Sequence, residues 1–113
     1  MTIYKIRKRN GSIVTFEKEK IENAIKLAFE AVQNNEIRHI PALVDLVVSN
    51  VESKIGNEIP DIELIQDEVE SVLIQQQFED VAKAYITYRQ KRAENRDVKN
   101  VVVEVDKTMD EYL

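Results

Sequence analysis

The chain has 113 residues, 43% hydrophobic and 33% charged, with 16 bases against 21 acids and a formal net charge of −5; that is one ordinary soluble domain, or one domain and a tail. It has no cysteine and one histidine, His39, which excludes disulfides, thiolate metal sites, thiol nucleophiles and a metal site built from histidines. No apolar run reaches membrane-span length, and no apolar stretch follows the N-terminal bases as it would in a secretory signal, so the expected location is the cytoplasm.

The first predicted element is a hairpin. Tyr4 to Lys8 and Ile13 to Phe16 flank Asn10-Gly11, and Asn-Gly between two extended runs predicts a type I′ turn with φ > 0 at both central residues. Alternation puts Tyr4, Ile6 and Lys8 on one face and Lys5, Arg7 and Arg9 on the other. Two strands are not stable alone, so the hairpin must lie on something. The helical stripe Ile21, Ala24, Ile25, Ala28, Phe29, Val32 predicts a first helix over 19–32, ended by Gln33-Asn34-Asn35. A second stripe, Ile40, Leu43, Val44, Val47, Val48, Val51, Ile55, carries Pro41 in its first turn and stops at Gly56-Asn57. Glu58-Ile59-Pro60 is a candidate third strand. Asp61 is a candidate N-cap for a third helix with Ile62, Ile65, Val69, Val72 and Leu73 inward, which Gln75-Gln76-Gln77 breaks. A fourth helix begins near Glu79, with Phe78, Val81, Ala82, Tyr85 and Ile86 as its stripe. Past Arg96 the periodicity fails; Val101-Val102-Val103 has strand character, and residues 97–113 read as a linker toward something absent. The expected fold class is α+β: an N-terminal hairpin or small three-stranded sheet packed on a four-helix bundle, with the domain at 1–96.

Charge is unevenly placed. Residues 1–10 carry four bases and no acid, 61–80 carry seven acids and no base, and 81–96 carry five bases against Glu94, so a compact fold brings two basic segments toward one another. No serine has the surroundings of a nucleophile, and His39 at a helix start suits a surface or capping role. No catalytic residue is assigned. There is no Walker loop or Gly-x-Gly-x-x-Gly. A nucleotide would therefore rely on side-chain cations and a helix N-terminus: Lys8 and Arg9 at the hairpin tip, Lys20 opening the first helix, the N–H groups of residues 61–66, and Lys91. Ile6 and Ile65 are suited to sandwich a base, and Gln66 to hydrogen-bond its edge. A basic hairpin docking on an acidic protein is the competing reading. Nucleic acid is disfavoured, because the chain is acidic and Tyr4 is the hairpin's sole stacking platform.

Three segments together, IYKIRKRNGSIVTFEKEKI, IELIQDEVESVLIQQ and VAKAYITYRQKR, resemble the ATP-cone, a regulatory nucleotide-binding domain of ribonucleotide reductases and of a related transcriptional repressor. Each motif is weak alone, but the ordered set, over roughly residues 3 to 93, is specific. The resemblance implies a small sheet over four helices with ATP or dATP between them, Mg²⁺ held through the phosphates, and control of a reductase's activity or oligomeric state without catalysis in the domain itself. It implies that Ile6, Lys8, Arg9, Glu17, Lys20, Ile62, Ile65, Gln66 and Lys91 line the site, and that Tyr88 and Arg89 serve a second nucleotide where two bind. Where some members of the family carry a carboxylate this chain has Val14, and where others have Asp or Asn it has Glu17. The segment VDKTMDEYL resembles the link to the catalytic domain in anaerobic ribonucleoside-triphosphate reductases. The implied partners are the nucleotide, the rest of such a reductase and a second copy of the chain, with no membrane.

Overall fold

The computed structural model describes the backbone of residues 3–98 and the side chains of residues 3–94. The elements follow the expected order: β1 (Lys5–Arg7), β2 (Ile13–Thr15), α1 (Lys18–Ala31), a 3-10 turn (Ile37–His39), α2 (Ile40–Ile55), α3 (Ile62–Gln75) and α4 (Glu79–Val98). The fold is α+β, an N-terminal hairpin with four helices. In the bundle α1 packs on α2 and α4, and α3 on α2 and α4, which closes a ring of four. No helix among the described residues is long and apolar enough to cross a membrane.

The amphipathic stripes become the core. Ile21, Ala24, Ile25, Ala28 and Phe29 of α1 meet Val44, Val47 and Val51 of α2, Ile65, Val69, Val72 and Leu73 of α3, and Val81, Ala82 and Tyr85 of α4, all essentially buried. Pro41 lies in the first turn of α2, where its missing N–H costs nothing, and Gly56 caps the helix at φ 61. α1 and α3 end alike, each on a glutamine in the left-handed region. Gln33 (φ 57) follows α1 and Gln77 (φ 69) follows α3. In each case the next N–H returns to the helix, Asn34 to the Phe29 carbonyl and Phe78 to the Leu73 carbonyl, at 2.9 and 2.8 Å. Phe78 then stacks at a tilt on Phe29, 5.2 Å between centroids, and lies 5.8 Å from His39.

β1 and β2 pair antiparallel with Ile6 opposite Val14. Ile6, 1% exposed, pins the hairpin to the bundle. The expected face is only partly realised: Tyr4, which precedes β1, is 73% exposed, and Ile3 is the second buried anchor. Among the described residues the sheet is two-stranded. Glu58-Ile59-Pro60 does not become a third strand, because Pro60 has no N–H to donate; its carbonyl accepts the Arg7 N–H at 2.9 Å, leaving a single parallel bridge between Arg7 and Asp61. α4 runs on to Val98, past the point where its apolar period lapses. The expected strand at Val101–Val103 and the tail beyond lie outside the described residues.

Candidate functional site

The hairpin tip is built differently from the expected type I′ turn. Asn10 does not take a positive φ; Gly11 alone does, at φ 90. The Gly11 N–H closes a four-residue turn on the Lys8 carbonyl at 2.9 Å, and the Lys8 N–H reaches the Ser12 carbonyl at 2.8 Å. The result is a three-residue loop, Arg9-Asn10-Gly11, with glycine in the left-handed position. The physical reason is local. Asn10 Oδ1 accepts from both the N–H and the hydroxyl of Ser12, at 2.9 and 2.6 Å, and this Asx turn holds Asn10 on the ordinary side of the map. One consequence is the aim of Arg9. Its Nη2 donates to Gln66 Oε1 at 2.7 Å across 57 residues of sequence, and its Nε lies 3.4 Å from Glu63. The side chain is only 26% exposed.

Beneath the tip lies the start of α3. Asp61 occupies the N-cap position, but its carboxylate makes no cap hydrogen bond; it faces Arg7 Nε at 3.3 Å and ties the hairpin to the helix. Ile62, Ile65 and Gln66 follow, all buried with Ile6. The expected apolar walls are therefore part of the buried core, with the Gln66 amide oxygen committed to Arg9. On α1, Lys20 keeps its ammonium inward, 16% exposed, 3.7 Å from the Glu17 carboxylate. Lys8 is half-buried at the tip. Lys91 lies within α4 rather than near its end, since the helix continues to Val98; it is exposed, as is Tyr88 one turn earlier.

Arg89, partly buried on α4, is turned toward α3. Its Nη1 donates to Asp67 Oδ1 at 2.9 Å and to Glu70 Oε2 at 2.7 Å. Burial works against its charge, but these two hydrogen bonds together with the negative charges of Glu70 and Asp67 hold the guanidinium above its ordinary pKa. Tyr85, one turn before Arg89 on α4, is fully buried. Burial pushes its phenol well above the ordinary range, and the charges of Arg89, Glu70, Arg9 and Asp67 all reach its hydroxyl. Arg9 of the first basic segment and Arg89 of the second both pair with side chains of α3, Arg9 with Gln66 and Glu63, Arg89 with Asp67 and Glu70.

The fold thus brings together Ile6, Arg9, Ile62, Ile65 and Gln66, sets Lys20 with Glu17, and sets Arg89 against α3. It adds Glu63, Asp67, Glu70 and Tyr85, which sequence reasoning left on a solvated face or in the core. A signal for the acids was present: positions 63, 67 and 70 form one stripe flanking Gln66.

A family model described as the ATP cone domain matches residues 4–94. The vitamin B12-dependent ribonucleoside-diphosphate reductase of Thermoplasma acidophilum is 41% identical over 105 residues, covering 88% of this chain and 13% of that protein. The reductase of the same name from Mycobacterium tuberculosis is 38% identical over 95 residues, 84% of this chain and 13% of that protein. The anaerobic ribonucleoside-triphosphate reductase of Haemophilus influenzae is 36% identical over 92 residues, 81% and 13% respectively. The chain therefore spans only about an eighth of the length of these relatives.

Proposed function

This chain belongs to the ATP cone domain family, and from that premise we propose that it is the nucleotide-sensing regulatory domain of a ribonucleotide reductase, binding ATP or dATP between the hairpin and α3. The observation that carries the reading is the Arg9–Gln66 contact, which seats a basic hairpin tip on the helix start that holds Ile62 and Ile65. The donor set fits a nucleoside triphosphate. In a chain of net charge −5, Arg9 and Lys20 are held inward rather than splayed into water. The α3 N-terminus adds backbone N–H groups and the positive end of its dipole. Ile6 and Ile65 supply the walls for a purine, Gln66 an amide for its edge, Glu17 a carboxylate for the sugar, and Lys8 and Lys91 further cations. Mg²⁺ accompanies the phosphates and offsets the charge they leave. Tyr88 and Arg89 are the residues for a second nucleotide.

ATP and dATP differ by one hydroxyl, and a ligand that binds two states equally shifts neither. A hydroxyl whose partner is left unpaired is worth about 1–3 kcal/mol, a coupling of ordinary allosteric size. The readout is self-association or contact with the remainder of the reductase. Relatives of higher identity are vitamin B12-dependent enzymes and the anaerobic enzyme is more distant, so the parent is read as a reductase of either kind, and the anaerobic assignment rests on the tail resemblance. Calorimetric titration with ATP, dATP, GTP and AMP in Mg²⁺ tests the reading. Micromolar heats for ATP and dATP that vanish in Lys8→Ala or Lys91→Ala support it. Absence of heat from every nucleotide on a folded chain sinks it, and turns attention to the hairpin as a protein-docking element.

A further inference from the structure

We propose that the acidic stripe of α3, with Glu63 as its leading member, limits the affinity of the nucleotide site by competing with phosphate for the site's arginines; the inference rests on the nucleotide reading above. Glu63, Asp67 and Glu70 succeed one another at i, i+4 and i+7 and so share one face of α3. Each engages a guanidinium. Glu63 sits 3.4 Å from Arg9 Nε, while Asp67 and Glu70 share Arg89 Nη1 at 2.9 and 2.7 Å. A carboxylate and a phosphate present the same acceptor geometry to the guanidinium fork. Glu63 therefore occupies the surface of Arg9 that a polyphosphate would use, and nucleotide binding there is an exchange of anions rather than a simple addition.

Glu63 is the carboxylate on Arg9, and its exposure lets it yield. The Glu63 side chain is 61% exposed and Asp67 66%, whereas Glu70 is 24% exposed. A displaced Glu63 returns to water at little cost, so its bond to Arg9 is a reversible one. Its remaining negative charge still lies beside the bound phosphates and repels them in proportion to their own charge. Both effects act in one direction. Glu63 weakens triphosphate binding, and it weakens monophosphate binding less, because a short phosphate chain carries less charge and need not displace it from Arg9.

The test is a titration of the 113-residue chain and its Glu63→Gln variant with ATP, AMP and inorganic tripolyphosphate, with folding checked by circular dichroism. Glu79→Gln is the control, an equal charge change at an exposed position in the first turn of α4. The expected result is roughly three- to tenfold tighter binding of ATP and tripolyphosphate by Glu63→Gln, the range of a partly exposed charge pair, with a smaller gain for AMP and no gain in Glu79→Gln. Unchanged affinity, or an equal gain in the control, overturns the proposal. Weaker binding by Glu63→Gln also overturns it, since Glu63 would then be positioning Arg9 for phosphate. If the unaltered chain binds neither ATP nor tripolyphosphate, the nucleotide reading itself fails and this inference fails with it.

Discussion

Tyr85 shows how much a single buried hydroxyl can report. Its phenol is raised above the ordinary value of 10.0, first by burial, and Lys18 is raised above 10.5 by its hydrogen bond and charge pairing with Asp45 at 2.6 Å. Both groups bind their protons more tightly in the folded state. Their contribution to stability is therefore complete below the unfolded pKa values and is lost as pH rises through the folded ones. Stability should fall from about pH 10 upward. The Tyr85 phenolate absorbance should appear together with loss of helical circular dichroism, and Tyr85→Phe should remove that delayed component. A Tyr85 signal that titrates while the helices persist would show the hydroxyl to be open to solvent. A second buried polar group, Glu68, is 4% exposed and is satisfied by Lys54 at 2.6 Å and Asn50 at 3.2 Å. It had no place in the apolar stripe read for α3, since an acid among valines signals burial only once its partners on α2 are known.

At the scale of elements, the helix ends carry the clearest local strain. Gln33 and Gln77 sit in the left-handed region, where a Cβ costs about 1–2 kcal/mol and glycine is the usual residue. Gln77→Gly should therefore raise stability, by about 0.5–1 kcal/mol after the extra entropy of an unfolded glycine is deducted, read as a higher urea midpoint at unchanged slope. A lower midpoint would mean that the Gln77 side chain contributes more than its backbone costs. The hairpin illustrates the reverse case. Asn-Gly located its turn correctly, yet the turn type followed from Ser12, whose N–H and hydroxyl captured the Asn10 side chain. The third strand was lost to Pro60, which offers an acceptor without a donor.

For the whole molecule, the proposed nucleotide site would link ligand binding to folding. The Arg9–Gln66 and Arg7–Asp61 contacts join the hairpin to α3, and a nucleotide bound there as proposed would bind the folded chain alone. At one hundred times its dissociation constant, a nucleotide should add about 2.7 kcal/mol of stability. For a domain of this size that is a rise of roughly 10–20 °C in the melting temperature. Differential scanning fluorimetry with ATP and with AMP reads it directly, and equal shifts from the two ligands would contradict a triphosphate clamp.

The sequence by itself determined the elements and their order. Apolar residues at helical spacing have one way to be buried, and turn residues with special backbone needs fall between them. Pro41, Gly56 and the glutamine breaks placed the helix ends to within a residue or two. It also marked Ile6, Arg9, Ile65 and Gln66, to which the family resemblance added Ile62; the fold buries Ile6, Ile62, Ile65 and Gln66 and sets Arg9 on Gln66. Only the tertiary structure decided who pairs with whom. Arg9 meets Gln66 across 57 residues, and Arg89 meets Asp67 and Glu70 across 22 and 19. Such contacts have no local signature, because they exist only where the hairpin and two helices pack. An acid on the polar face of a helix is a solvated charge until packing puts an arginine beside it.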